Sequence, residues 1–193
     1  MKKYLKLRKK ALEILNTKLS EDFYYHGVHH TLDVLDAINQ YIRREKTDHY
    51  TSKLLRISVL LHDIGFTVSY VDHEKNSVSI AKKLMKEYDF SEEEFKIVKG
   101  MIMATCTPQK PTNNLEKMIC DSDLDYLGRP DYYPVSELLF KELKVYGLIS
   151  NKKDWNKAQI KFLEAHKYHT DYARKYRQPQ KEERIKELKQ LLV

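Results

Sequence analysis

A chain of 193 residues is long enough to bury a substantial core, and its length suits one domain over 1–193. Five Gly, five Pro and abundant Leu, Lys, Glu and Ile point to an all-α protein and away from a sheet-based one. The formal charge of +7 is concentrated in Lys2, Lys3, Lys6, Arg8, Lys9 and Lys10 and in Lys167, Arg174, Lys175, Arg177 and Lys181. Such runs read as solvated helix faces or as a pull on phosphate-rich ligands; without a recognised motif they argue against nucleic acid.

Residues 2 to 18 are amphipathic, with Leu5, Leu12 and Leu15 as the expected inner stripe. The opening MKKYLKLRKKALEIL carries charges where a signal peptide needs an apolar stretch, and no later run reaches the roughly 18 apolar residues of a membrane span. A cytoplasmic protein with no membrane partner is expected. A second helix is expected from near Gly27 to Arg44, burying Val28, Leu32, Leu35 and Ile42. Thr51 or Ser52 caps a third, KLLRISVLLHDIG, which is apolar nearly all round, stops at Gly65 and reads as the central helix.

Further helices are expected over Ser77 to Tyr88, Ser91 to Ala104 and Leu115 to Tyr126, with Ser91 and Glu94 forming a capping box. CTPQKPTNN is the clearest loop and RPDYYP the next break, after which residues 135–193 form a helical extension of two or three helices. Cys106 and Cys120, with no Cys-x-x-Cys pair, read as two reduced structural thiols.

The chemistry lies in the histidines and aspartates. In YYHGVHHTLDVL, His26 and His30 are four apart and project from one face of a helix, while His29 points elsewhere. His62 and Asp63 follow LLRISVLL, where a charged pair is costly unless something compensates it, and a divalent metal would. ICDSDLDYLG adds Asp121, Asp123 and Asp125 among apolar neighbours. Each of these residues alone reads equally as an ordinary polar helix residue. Together, His30, His62, Asp63 and Asp123 offer two imidazoles and two carboxylates from three helices, a donor set that suits Mn, Fe, Co, Ni or Zn.

The ordered motifs YHGVHH, LLHDIG, DHEKNSVSIA and DSDLDYLG resemble the HD superfamily of metal-dependent phosphohydrolases, whose fold is an HD-domain helical bundle. The resemblance covers Tyr24 to Leu127, and EAHKYHTDYARKYR at 164–177 resembles the tail of its small bacterial members. It implies His30, His62, Asp63 and Asp123 as metal ligands. YHGVHH is also similar to the Tyr-His-Asn-x-x-His run of cyclic-nucleotide phosphodiesterases, which implies His26 as the general acid, although Gly27 stands where that family has Asn. In binuclear members a histidine near His73 binds a second metal with others from the following helix. Here that helix reads GMIMATCTP, with Thr105 and no histidine, so one divalent ion, Mg included, is expected. His73 and Glu74 are then expected to support the ligands or face phosphate, and Asp121 to cap or to back a ligand.

The implied activity is hydrolysis of a phosphomonoester, phosphodiester or pyrophosphate in a small phosphorylated metabolite such as a nucleotide, with Asp63 orienting the attacking water and His26 protonating the leaving oxygen. Lys110, Arg129 and Lys167 are the basic residues expected to neutralise phosphate. The competing readings are a non-catalytic HD-fold sensor or interaction module and an oligonucleotide-acting phosphodiesterase.

Overall fold

The computed structural model describes residues 2–192, which form ten α-helices and two 3-10 turns and contain no strand. The first six helices are α1 (Lys2–Lys18), α2 (Val28–Arg44), α3 (His49–Leu61), α4 (His73–Glu87), α5 (Glu92–Ala104) and α6 (Asn114–Asp123). The last four are α7 (Tyr132–Val145), α8 (Lys152–Ala165), α9 (Asp171–Tyr176) and α10 (Gln178–Gln190). The 3-10 turns, Ile64–Thr67 and Asp125–Gly128, each follow a helix that ends in site residues. Among the described residues no helix is long and apolar enough to cross a membrane.

α3 is the axis of the bundle and packs against α1, α2, α4, α5 and α6. Its Leu54, Leu55, Ile57, Val59, Leu60 and Leu61 are all buried, and each such side chain contributes roughly 2 kcal/mol on leaving water. Its N-cap is Asp48, which accepts from the backbone of Tyr50 and Thr51, so the helix begins before the expected Thr51 or Ser52. The capping box of Ser91 and Glu94 forms as expected, and the Glu94 carboxylate also accepts from Lys3 and Lys53, tying α5 to α1 and α3.

Two inner stripes differ from expectation. In α1 the buried residues are Leu7, Ala11 and Leu15, at steps of four, while Leu5 is 53% exposed because it lies about 200° around the axis from Leu7. In α2 the buried face runs through Val34, Leu35, Ile38, Tyr41 and Ile42, leaving Leu32 39% exposed. α4 begins at His73, four residues earlier than Ser77, because Asp72 turns the chain in the left-handed region, φ 56°.

The carboxyl-terminal third holds four helices where two or three are expected. Asn151 and Thr170 cap α8 and α9, and a proline at the start of α10 separates it from α9. This third shares the main hydrophobic cluster through Leu163, Tyr168, Ala173 and Leu188. Its basic residues are not all solvated: Arg177 pairs with Asp125, and Lys181 is 1% exposed and donates to the His166 carbonyl. Cys106 and Cys120 are both free, and the buried Cys120 thiol donates to the Ala104 carbonyl.

Candidate metal centre

His30 lies in the first turn of α2, His62 caps the C-terminus of α3, Asp63 occupies the following turn, and Asp123 is the last residue of α6. Three helix termini thus deliver four side chains to one point at the edge of the core. Gly65 lets the start of α4 pack against the turn that carries Asp63. A Cβ there would stand 1.9 Å from the His73 carbonyl oxygen, and the Gly65 N–H donates to the Ser77 hydroxyl. Gly65 therefore sits inside a 3-10 turn to let α4 approach, rather than ending α3, which stops at Leu61.

The four side chains converge tightly. His30 Nε2 lies 3.2 Å from Asp123 Oδ1 and 3.4 Å from Asp63 Oδ2; His62 Nε2 lies 3.2 Å from Asp63 Oδ2 and 3.4 Å from Asp123 Oδ1. One donor atom from each of His30, His62 and Asp123 falls within 4.8 Å of the others. His62 Nδ1 donates to the Val59 carbonyl at 2.8 Å, which fixes the ring and directs Nε2 to the cluster.

Charge balance explains how such a cluster stays buried. Burial alone would lower the pKa of His30, but the Asp123 and Asp63 carboxylates reverse that and raise it to about 9. Burial would raise Asp123, yet the two histidines hold it down at about 2, and Asp63 is held well below the usual carboxylate range by His62 and His30. His30 Nε2 and His62 Nε2 are nonetheless buried with no hydrogen-bond partner. Two orphaned imidazole nitrogens facing two carboxylates are what a divalent cation at the centre would satisfy, so the donor set fits a metal.

His26 is not on α2 with His30. It lies in the bend before Gly27, which caps the helix, yet its ring stands 5.9 Å from that of His30. Glu142 of α7 places it: Glu142 Oε1 is 2.5 Å from His26 Nδ1, and Oε2 accepts from the backbone N–H groups of Tyr25 and His26. Glu142 is 0% exposed; burial raises its pKa, but the hydrogen bonds from His26 and Tyr25 outweigh that and hold it below the usual range. An ionised carboxylate only accepts, so His26 Nδ1 carries a proton and Nε2 is left for chemistry. Nothing local to YYHGVHH signals Glu142. The available sign was an acid in the apolar stripe of α7, three residues after Leu139 and one before Leu143.

His73 Nε2 lies 3.6 Å from Asp63 Oδ1 and 3.4 Å from Glu74 Oε1, with its ring stacked on Phe66 at 3.9 Å. Burial lowers its pKa. Asp121 does not reach the cluster. Two residues before Asp123 on the same helix, it points to the opposite side, where it accepts from the N–H groups of His169 and Thr170 and from the Thr170 hydroxyl. Arg129 is also turned away, paired with Asp33 and Asp131. Lys167 lines a neighbouring pocket with His166 and His169, and Lys110 lines no pocket at the cluster.

A cavity of about 300 Å³ opens beside the cluster, walled by His26, Asp63, His73 and Asp123 and by residues of α7 and α8. Comparison with known proteins gives three findings. Residues 27–124, 98 of the 193, match the family model described as HD domain. The chain is similar to a protein of Clostridium beijerinckii described as uncharacterized, 33% identical over 93 residues that cover 46% of this chain and 59% of the relative, so it spans less than two thirds of that relative's length. No solved structure matches the chain. The matched span contains His30, His62, Asp63 and Asp123, and the chain belongs to the HD domain family.

Proposed function

We propose that this chain hydrolyses a phosphate ester or anhydride of a small metabolite, nucleotides included, with one divalent ion held by His30, His62, Asp63 and Asp123. The observation that carries the reading is the pair of buried, unpartnered imidazole nitrogens facing two carboxylates at the mouth of a cavity. When bound, a divalent ion supplies Lewis acidity toward a phosphoryl oxygen and toward the attacking water.

The protein's own groups do the rest. Asp63 turns Oδ2 to the histidine pair and Oδ1 toward His73, and from there it orients the attacking water. Water attacks phosphorus, the ester P–O bond breaks, and His26 gives its Nε2 proton to the departing oxygen. Glu142 holds the ring in place for that transfer. His73, supported by Phe66, lines the cavity close enough to Asp63 to meet a phosphate oxygen.

The test is phosphate release from a panel of nucleotides and other phosphorylated metabolites, using protein stripped by chelator and reloaded with Mn, Fe, Co, Ni, Zn or Mg. Release that depends on reloading supports the reading. No release from any member with any ion removes it.

A further inference from the structure

The cavity beside the cluster offers a phosphate few cations. Among the described residues lining it there is no Lys or Arg, and its charged groups are Asp63, Glu74, Asp123, His26 and His73. None of the basic residues expected to neutralise phosphate reaches it: Arg129 is paired with Asp33 and Asp131, and Lys110 and Lys167 lie outside its wall. The oxygens of a bound phosphoryl group must then be met in part by uncharged donors.

Two phenols are placed to do this. Tyr25 precedes His26, and its ring stands 4.6 Å from the rings of both His26 and His30. Its backbone N–H donates to Glu142, so the carboxylate that holds His26 also sets Tyr25. Tyr126 lies three residues after Asp123, in the 3-10 turn that follows α6, with its ring 5.6 Å from that of Tyr25. Both phenols feel the charge of Asp123, and their hydroxyls lie near each other.

Tyr25 is 4% exposed and Tyr126 5%, yet both line the cavity. Among the described residues neither hydroxyl is engaged in a hydrogen bond of good geometry, and neither belongs to the polar groups sealed in the interior without a partner. Each oxygen therefore keeps surface open to the cavity. Tyr132 differs: its hydroxyl, also at the cavity wall, is already donated to Gln159. A core tyrosine whose hydroxyl had no task would be served as well by Phe, which carries no polar atom into the interior.

We propose that Tyr25 and Tyr126 bind the phosphoryl group of the substrate, each hydroxyl donating to a phosphate oxygen in the place that Lys or Arg takes in more basic sites. The inference deepens the phosphohydrolase reading and rests on it for turnover, while the binding of phosphate itself tests it separately.

The experiment compares Tyr25→Phe, Tyr126→Phe and Tyr132→Phe with wild type, each as the metal-loaded full chain. Calorimetric titration with inorganic phosphate measures binding without turnover, and nitrophenyl phosphate gives kcat/KM. Tyr25→Phe and Tyr126→Phe keep their rings, so each is expected to retain metal content and Tm and to weaken phosphate binding roughly threefold to tenfold, the weight of one hydrogen bond. In both, kcat/KM should fall by at least as much. Tyr132→Phe, whose hydroxyl serves Gln159, is expected to leave phosphate binding unchanged. Weakened phosphate binding in the first two variants of a protein that releases no phosphate from any ester would keep this assignment and remove the phosphohydrolase reading. Hydrolysis by wild type with phosphate affinity and kcat/KM unchanged in either variant would overturn the assignment and leave that reading standing. A loss that tracks lowered metal content or Tm, equal weakening in Tyr132→Phe, or a wild type that does not bind phosphate would overturn it too.

Discussion

Glu142 and His26 stand 116 residues apart in sequence and 2.5 Å apart in space, Oε1 to Nδ1, with the same carboxylate also taking the backbone N–H groups that frame the histidine. The helical extension therefore helps to build the site. Glu142→Gln keeps an oxygen for Nδ1–H but puts an amide where the backbone N–H groups of Tyr25 and His26 need an acceptor. Turnover on a phosphate ester with a poor leaving group is expected to fall roughly 10- to 100-fold, within the range of acid-base catalysis, with metal content unchanged. The loss should shrink on nitrophenyl phosphate, whose leaving group needs little protonation, which a merely structural role for Glu142 would not produce.

Replacing the proton donor itself gives a larger effect. His26→Ala is expected to retain the metal and to lose about 10²- to 10⁴-fold in turnover on an alkyl phosphate. On nitrophenyl phosphate, whose leaving group needs little protonation, the loss should shrink. Equal losses on the two substrates would remove His26 from that role.

The four residues of the cluster were legible because each sits in a short motif beside strongly periodic helix: His30 opens α2, His62 and Asp63 close the apolar α3, and Asp123 ends α6. What fixes their surroundings was not legible, because it comes from far along the chain. Glu142 reaches His26 from α7, and Asp121 and Asp125, which flank Asp123, turn away to hold Thr170 and Arg177. Helix starts were missed where the signal was a single residue, as with the Asp48 cap and the left-handed Asp72. Lys181 reads as a solvated cation in sequence and is buried because its ammonium reaches the His166 carbonyl.

Gly65 is a steric requirement of the site. A methyl group there meets the His73 carbonyl oxygen at 1.9 Å and the Ser77 nitrogen at 2.6 Å, both backbone atoms that cannot swing aside. Gly65→Ala is expected to cost about 3 kcal/mol or more, at the upper end of overpacking, and to lower Tm by roughly 6–12 °C in a chain of this size. Thermal unfolding measures it; a change under 2 °C or so would mean that α4 shifts freely.

Nuclearity gives the fourth prediction. A second ion would have to draw on His73, Glu74 and Asp63 Oδ1, since α5 presents Phe95, Val98, Met101 and Ile102 to the core and Thr105 in place of a histidine. Metal analysis of protein prepared without chelator is expected to give close to one ion per chain, and His73→Ala to change that little. Two ions bridged by Asp63 in anomalous scattering would contradict it.

Glu94 carries a clear pH signature. Burial would raise its pKa, but Lys53, the Ser91 N–H and Lys3 hold it down at about 2. A carboxylate whose folded pKa lies below its unfolded value, near 4.5, stabilises the fold fully above pH 4.5 and loses that contribution as pH falls through 2. Glu94→Gln is expected to lower stability by about 1–3 kcal/mol at neutral pH, with the gap to wild type closing between pH 4.5 and 2 in acid titrations of Tm. A gap independent of pH would show that the ammonium partners contribute nothing.

The central claim is that His30, His62, Asp63 and Asp123 form one metal centre that drives phosphate ester hydrolysis, and reconstitution of chelator-stripped protein tests it most directly. Because burial and the carboxylates set His30 at about 9, it binds a proton at neutral pH that an incoming ion must displace. Calorimetric titration with a divalent ion, repeated in buffers of different ionisation enthalpy, is expected to show one ion bound per chain with about one to two protons released. Phosphate release should rise in step with occupancy, and both signals should vanish in Asp63→Asn and Asp123→Asn. Binding without proton release, or release of phosphate that persists in those variants, would contradict the account.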